Sequence, residues 1–431
     1  MGKYKESFYN IKICTDDKKR VLLFNSYTSA LCWVDEDIYR SISGKIHIEE
    51  KDILPNMVKL GFVVKEKEDE VIKYIIERNN YLFEKKPSVM GCVISPTMKC
   101  NMSCIYCFQN DMKLKDSLNV KDLDAIIEFI RHSIENNDNL QRFWIKWFGG
   151  EPGLEIEIIK YISKKVKEIC EVRNVTFDAL IVSNGLVLTP NVIDDLVSRC
   201  NINTAQITVD GTPEIYSLMK GVSEECFDKV IDNISYMSNY MRVNININIS
   251  KQNTKEVYEL IEYFSKQKNI NKKNIRIYLS MIYKYTDRIN ADQLFNEDEY
   301  QLFLTNLFKY IEEKNLLKLF EFKLPCRRYS YCSSMQVNTL CIGPKGNLYR
   351  CETNIGHEEY KIGTCTDGRF YNEIDWEYVS NPLRDKCKKC KILPICAGGC
   401  RDRNLYTDID QSCDAKKQEI ITMIIMYMKN R

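Results

Sequence analysis

CNMSCIYCF, residues 100–108, is the stretch from which the rest of the chain is best read. Its C-x3-C-x2-C spacing puts the thiols of Cys100, Cys104 and Cys107 in one loop. Three thiolates on one loop can hold three irons of a [4Fe-4S] cube and leave the fourth iron open to another ligand. Zinc bound by the same thiolates would want a histidine as fourth ligand, and His47, His132 and His357 are all distant from the loop in sequence. A short apolar run ending at Ser95 precedes the loop. Leu123, Ile126, Ile127, Ile130 and Ile134 follow at helical spacing, so the cysteines sit between a strand and a helix.

Working outward, FWIKWF, FDALIVS, TAQITVD, RVNININIS and NIRIYLSMI read as strands, each separated from the next by a segment of helical period. About six β/α units therefore occupy residues 90–315, which predicts an α/β fold with a parallel sheet or barrel. RVNININIS places Val243, Ile245, Ile247 and Ile249 on one face and Asn244, Asn246 and Asn248 on the other; the next strand repeats the pattern with Arg276, Tyr278 and Ser280. A filled barrel core is apolar on both strand faces, so these rows predict a wide, partly open barrel with a polar ligand inside; a solvated edge strand is the alternative.

Nineteen cysteines are the compositional anomaly, and in a chain without secretion features they point to metal binding or catalysis rather than disulfides. The start, MGKYKESFYN, lacks the apolar core of a secretion signal, and no uninterrupted apolar stretch is long enough to span a bilayer, so a cytoplasmic protein without a membrane partner is expected. Near the end, IITMIIMYM has charged flanks and reads as a terminal helix packed on the body. Lys and Arg number 62 against 60 Asp and Glu, mixed along the chain, so no basic face predicts a nucleic-acid partner. Cys14, Cys32, Cys92, Cys170, Cys200 and Cys226 lie in apolar or helical surroundings and read as small buried side chains.

Residues 1–85 read as a separate small unit: a hairpin turning at Asp16, Asp17 and Lys18, a helix over Asp35 to Ile42, a helix ending near Leu60, then the strand GFVV. That order suits a winged helix. A charged linker with Pro87 leads into the first barrel strand.

C-x3-C-x2-C with Tyr106 before its last cysteine resembles the signature of the radical S-adenosylmethionine (SAM) superfamily, and further motifs follow in that family's order. Gly149, Gly150, Glu151 and Pro152 resemble the segment that receives the methionine amino group, and Ser183, Asn184 and Gly185 the segment near the ribose. Asp210 and Gly211 close the fourth strand, and Lys220 stands where relatives often carry an arginine that meets the methionine carboxylate. Each motif ends a strand, which is where β/α barrels build their sites. Asn246, in the polar row, is a further candidate for cofactor contact.

The C-terminal cysteines, over residues 320–431, resemble the SPASM extension of that superfamily: Cys332, Gly346 and Cys351 as C-x13-G-x4-C, then Cys387, Cys390, Cys396 and Cys400 as C-x2-C-x5-C-x3-C, with Cys413 last. The resemblance implies two auxiliary [4Fe-4S] clusters, one on Cys326, Cys332, Cys351 and Cys400, the other on Cys387, Cys390, Cys396 and Cys413. Some relatives leave an iron open at the position of Cys326. A zinc ribbon is the alternative for CKKC and CAGGC taken alone.

The whole then resembles a partial (βα)6 radical SAM barrel between a winged-helix-like leader-recognition element and a SPASM domain. Three [4Fe-4S] clusters, SAM and a one-electron donor such as flavodoxin or ferredoxin are implied, with a 5'-deoxyadenosyl radical removing hydrogen from a ribosomally made precursor peptide bearing a leader. The expected product is an oxidative crosslink, foremost a Cys thioether. Carbon–carbon crosslinking and anaerobic formylglycine formation on a sulfatase are alternatives, the latter because an acid, Glu352, follows Cys351 and is a candidate general base. A non-catalytic iron-sulfur or zinc protein is the alternative of another class.

Overall fold

The computed structural model describes residues 4–13, 19–44, 53–109, 116–370, 372–380, 382–406 and 413–430. Contacts group the chain into two compact units, one of Met1–Glu84, Phe322–Gln336 and Val379–Arg431, the other of Lys85–Glu321 and Val337–Tyr378.

The first unit opens with β1 (Tyr4–Glu6), β2 (Asn10–Ile13), β3 (Arg20–Asn25) and β4 (Leu31–Asp35), then α1 (Glu36–Ile42), α2 (Ile53–Leu60), β5 (Val63–Lys65) and α3 (Glu70–Leu82). Strands β2, β3 and β4 form an antiparallel meander, and β1 pairs with β5. The turn expected at Asp16 to Lys18, together with Cys14 and His47, falls outside the described residues.

Contacts group residues 1–84 with Phe322–Gln336 and Val379–Arg431, and β3 supplies a physical reason. It is apolar on both faces, so both must be covered. Val21 and Leu23 pack with Val34, Ile42, Phe62 and Val63 of the same segment. Leu22 and Phe24 pack instead with Ile392, Ile395, Ile420 and Ile424 from the C-terminal part of the chain.

The second unit is built on six parallel strands lying side by side in chain order: β6 (Val89–Ile94), β7 (Arg142–Trp147), β8 (Thr176–Ser183), β9 (Ile202–Thr208), β10 (Arg242–Ile249) and β11 (Ile275–Met281). The connecting helices are α4 (Val120–Glu135), α5 (Ile156–Val172), α6 (Pro190–Cys200), α7 (Pro213–Lys220), α8 (Glu225–Met237) and α9 (Thr254–Lys266), and α10 (Glu297–Glu313) follows β11. An Asn119/Asp122 capping box starts α4 and an Asn296/Glu299 box starts α10, each answering backbone N–H groups that have no partner within the helix. Beyond β6 the sheet continues with β12 (Thr339–Ile342), parallel to β6, then antiparallel β13 (Asn347–Tyr349), β14 (Gly363–Thr364) and β15 (Gly368–Arg369); α11 (Glu373–Ser380) comes next.

Alternation along the strands divides the two faces of this sheet. Phe143, Ile145 and Trp147, Phe177, Ala179 and Ile181, Ala205 and Ile207, and Val243, Ile245, Ile247 and Ile249 are buried. Each fully buried aliphatic side chain contributes about 1.5–3 kcal/mol, which makes this layer the core that fixes the register. The alternate residues, Lys146, Gln206, Thr208, Asn244, Asn246, Asn248, Tyr278 and Ser280, form the polar face the sequence predicted. Asn246 lies opposite Thr208 on one side and Tyr278 on the other.

In the first unit the chain ends with α12 (Asp385–Lys388), α13 (Leu393–Cys396), α14 (Arg401–Tyr406) and α15 (Cys413–Lys429). Helix α15 carries the apolar IITMIIMYM segment and buries Ile420 and Ile424 against β3, as expected for a helix packed on the body. No helix among the described residues is long and apolar enough to cross a membrane.

Candidate functional site

The cysteine loop leaves β6 and is held from two directions. On one side the Gly150 N–H donates to Thr97 O at 3.0 Å and the Glu151 N–H to Lys99 O at 2.8 Å. A Cβ at Gly150 would come 2.1 Å from Lys99 O, and one at Gly149, whose φ is +125°, 2.2 Å from Ser95 Oγ, so only glycine lets this turn approach the loop so closely. On the other side the Ser103 N–H donates to Lys220 O at 3.0 Å and the Ile105 N–H to Met219 O at 3.1 Å, which ties the loop to the end of α7. That helix stops at Gly221, whose φ of +63° suits a left-handed cap, and a Cβ there would meet Ser103 O at 2.9 Å.

Glu151 is fully buried behind the turn, with Oε1 accepting from the Gly153 N–H and from Ser183 Oγ and Oε2 from the Asn184 N–H, each at 2.8 Å. Burial raises its pKa, and these three hydrogen bonds to the charged form oppose the rise. The Gly185 N–H donates to Ser183 Oγ at 2.9 Å, and Asn184 Nδ2 reaches Asn101 Oδ1 in the cysteine loop at 2.7 Å. Pro152 starts the short helical turn that aims the Glu151 carboxylate. The structure thus brings Gly149, Gly150, Glu151, Pro152, Ser183, Asn184 and Gly185 together beside the cysteine loop.

Asp210, Lys220 and Tyr106 form a second buried assembly. Lys220 Nζ lies 2.8 Å from Asp210 Oδ2, with the two side chains only 2% and 0% exposed. Tyr106 donates its hydroxyl proton to Asp210, while its oxygen accepts from Lys220 Nζ at 2.6 Å and Asn248 Nδ2 at 3.0 Å. The Asn248 N–H donates to Asp210 Oδ1 at 2.8 Å, and Asn253 Nδ2 to Asp210 O at 2.7 Å. Burial works against the charge on Lys220, yet Asp210 and Cys104 hold its pKa above the ordinary lysine value. Burial and the Asp210 charge push the Tyr106 phenol upward, so it stays protonated. The polar row continues with Asn246 Nδ2 donating to Asn248 Oδ1 at 2.9 Å and Ser280 Oγ to Asn246 Oδ1 at 2.7 Å.

Burial raises the Cys100 thiol and pushes Cys104 to about 11, with the Lys220 ammonium opposing the rise at Cys104. Metal binding displaces such thiol protons. No group of three or more His, Cys, Asp or Glu among the described residues converges tightly enough to hold a single metal ion. A cube does not require such convergence on one ion, since each thiolate attaches to its own iron. The glycine-lined turn and a donor set of thiols only also fit a [4Fe-4S] cluster.

Glu352, the candidate base, is joined to Lys146 on β7, whose Nζ lies 2.7 Å from Oε1, and both are partly exposed. Lys146 also lies 5.3 Å from the Phe148 ring centroid, and Phe148 stacks with Phe108 next to Cys107. Sequence reasoning missed Lys146, although a lone lysine on the same strand face as Trp144 in WIKWF was a signal. It also passed over Asn248, which was visible only as one member of its row.

Among the C-terminal cysteines, Cys351 follows Arg350, whose fully buried guanidinium binds Asp375 at 2.7 Å and Thr339 O at 2.9 Å; Arg369 completes the clamp on Asp375. Thr353 Oγ1 donates to Cys351 Sγ at 3.1 Å. Cys326, Cys332 and Cys400 belong to the other unit, as do Cys387, Cys390, Cys396 and Cys413. Cys387 and Cys390 pack with Leu393, Tyr9 and Tyr74, and Cys390 and Cys396 against the β3 cluster. The segment from Cys326 to Cys332 is fastened to α3: Tyr74 OH donates to Arg328 O at 2.9 Å, Tyr329 OH to Glu77 at 3.0 Å, and Arg327 Nη1 lies 3.3 Å from Glu77. Cys341 and Cys365, outside both expected ligand sets, are buried in the sheet extension.

Six parallel strands carry cysteine, glycine-rich and acidic segments at their carboxyl ends, and residues 94–264 match the model of the radical SAM superfamily. Those residues carry a radical SAM domain, and the cofactors of such an enzyme are [4Fe-4S] clusters and S-adenosylmethionine. It is 23% identical to the cysteine-type anaerobic sulfatase-maturating enzyme of Clostridium novyi, over 72% of this chain and 88% of that protein. It is 22% identical to the radical SAM cyclopropyl synthase TigE of Paramaledivibacter caminithermalis, over 89% of this chain and 87% of that one. The fold resembles anSMEcpe with bound AdoMet, at a TM-score of 0.61 and 19% identity over 79% of this chain and 99% of the other. It also resembles Streptococcus suis SuiB bound to precursor peptide SuiA, at 0.55 and 16% identity over 96% and 99%.

Proposed function

We propose that this protein is a peptide maturase that forms an oxidative crosslink, foremost a Cys thioether, in a ribosomally made precursor peptide. The observation that carries the reading is the polar row from Tyr106 through Asn248 and Asn246 to Ser280, which starts at the cysteine loop and suits a polar, backbone-rich substrate. Likeness to a sulfatase-maturating enzyme and to TigE over most of their lengths supports a peptide as substrate. The SuiB fold match takes in 96% of this chain against 79% for anSMEcpe, which favours a precursor peptide over a sulfatase.

Cys100, Cys104 and Cys107 would hold the first cluster, and Cys387, Cys390, Cys396 and Cys413, which lie in one unit, would hold an auxiliary one. When bound, these clusters and SAM supply a 5'-deoxyadenosyl radical that takes one hydrogen atom from the peptide and an acceptor for the second electron. The Glu151 carboxylate, whose Oε2 accepts from the Asn184 N–H, would receive the methionine amino group. Glu352 takes the thiol proton as the carbon–sulfur bond forms. Strand β4 pairs only with β3 among the described residues, leaving an edge to which a leader can add as a further strand. A flavodoxin or ferredoxin delivers the first electron.

Formylglycine formation is the second reading, favoured by Glu352 directly after Cys351. Anaerobic reconstitution, reduction with SAM, and mass spectrometry of a cysteine-containing precursor peptide separate the two. Loss of two hydrogens with sulfur retained supports the crosslink, and loss of sulfur supports the maturase of sulfatases. Absence of 5'-deoxyadenosine overturns both.

A further inference from the structure

The resemblance assigns Lys220 to the methionine carboxylate, but the geometry points to another role. We infer that the Lys220–Asp210 ion pair is a positioning device that holds the Tyr106 phenol and, through it, the conformation of the loop bearing Cys104 and Cys107. The inference rests on the first cluster being bound by that loop.

Three observations carry it. First, Lys220 and Asp210 are both buried and 2.8 Å apart, and two of the three ammonium hydrogens already point at Asp210 and the Tyr106 oxygen. Second, Tyr106 lies between Cys104 and Cys107 in sequence, and its hydroxyl has every hydrogen-bonding position filled, accepting from Lys220 and Asn248 and donating to Asp210. Third, the backbone repeats the attachment: Lys220 O and Met219 O accept from the Ser103 and Ile105 N–H groups. Ile105 and Tyr106 also pack with Ile215, Met219 and Ile282. Three elements therefore converge on one phenol, with Asp210 in the turn after β9, Lys220 ending α7, and Asn248 on β10. A buried pair of this kind adds little net stability but strongly penalises loss of one member, which suits a group that specifies a single loop conformation.

The test compares Lys220→Met, Lys220→Arg and Tyr106→Phe with the parent chain. Hydrogen exchange of the peptide covering residues 100–108, measured without cluster, is expected to quicken roughly tenfold or more in Lys220→Met and several-fold in Tyr106→Phe, with Lys220→Arg nearer the parent. In reconstituted samples Lys220→Met and Tyr106→Phe each shift the electron-paramagnetic-resonance signal of the reduced first cluster before SAM is added. The molecules that keep the cluster bind SAM with a dissociation constant within about threefold of the parent value, since no contact to methionine has been removed. Unchanged exchange and an unchanged SAM-free spectrum, with SAM affinity weakened tenfold or more in Lys220→Met and unaltered in Tyr106→Phe, would make Lys220 a carboxylate ligand and overturn the inference. A parent protein that takes up no iron at this loop fails the functional reading instead, and the cluster-free exchange experiment still reports on the ion pair.

Discussion

Lys146 Nζ donates to both carboxylate oxygens of Glu352, at 2.7 and 2.8 Å, so the acid that follows Cys351 is tied to the polar face of β7. The pair is partly exposed, so its value for stability is small, about 0–1 kcal/mol, and its importance lies in where it holds the carboxylate.

If Glu352 takes the substrate proton, Glu352→Gln lowers crosslinked product about 10²–10⁴-fold while SAM cleavage to 5'-deoxyadenosine continues. Lys146→Met gives a weaker version of the same uncoupling. The ratio of product to 5'-deoxyadenosine is the measurement, and an unchanged ratio in Glu352→Gln removes it from the mechanism.

Gly150→Ala places a Cβ 2.1 Å from Lys99 O, a backbone atom that cannot swing away. The turn must move off the cysteine loop, so iron at the first cluster and 5'-deoxyadenosine formation are both expected to fall by about tenfold or more, as for other ångström-scale displacements in a site. The auxiliary clusters should survive, which iron analysis and electron paramagnetic resonance can check separately.

Glu151→Gln puts an amide N–H₂ where one carboxylate oxygen accepts hydrogen bonds, leaving buried donors without partners at a cost of about 1–3 kcal/mol. A pH dependence accompanies the change. Burial raises the Glu151 pKa above its unfolded value, so the folded state holds the proton more tightly. Its contribution to stability is therefore fully present below the unfolded carboxylate pKa and is lost as pH rises through the folded one. The stability gap between parent and Glu151→Gln, read from urea midpoints of the cluster-free proteins, should narrow as pH rises out of the acid range. A gap that widens would contradict the burial argument.

Because Leu22 and Phe24 of β3 cover Ile392, Ile395, Ile420 and Ile424, the first 84 residues should not be removable without harm to the C-terminal cysteines. A chain lacking them is expected to lose about eight of about twelve irons, as two cubes would account for. Phe24→Ala, costing about 3–5 kcal/mol, should lose auxiliary iron in the same direction. Full iron in the truncated chain would show that the shared core is dispensable.

Much of this was legible in the sequence, for reasons that can be traced to particular residues. Alternation in RVNININIS and the helical spacing of Leu123 to Ile134 gave strand and helix directly, because periods of two and of 3.6 leave different apolar patterns. Cysteine spacing exposed the candidate ligands, since several thiols in a short loop have few other uses in such a chain. RVLLF, apolar on both faces, was the unread sign that β3 is covered twice.

Local pattern was enough for the order of the β/α units, the buried face of each strand, and the loop bearing the first three cysteines. All of these depend on local periodicity and spacing. The partners of the polar groups came from the folded chain alone. Lys220 meets Asp210 and Tyr106, Glu352 meets Lys146, and β3 shares its core with α15, because each pairing joins residues whose separation along the chain leaves no local pattern. Burial then forces every charge and apolar face to be matched by whatever the fold brings beside it.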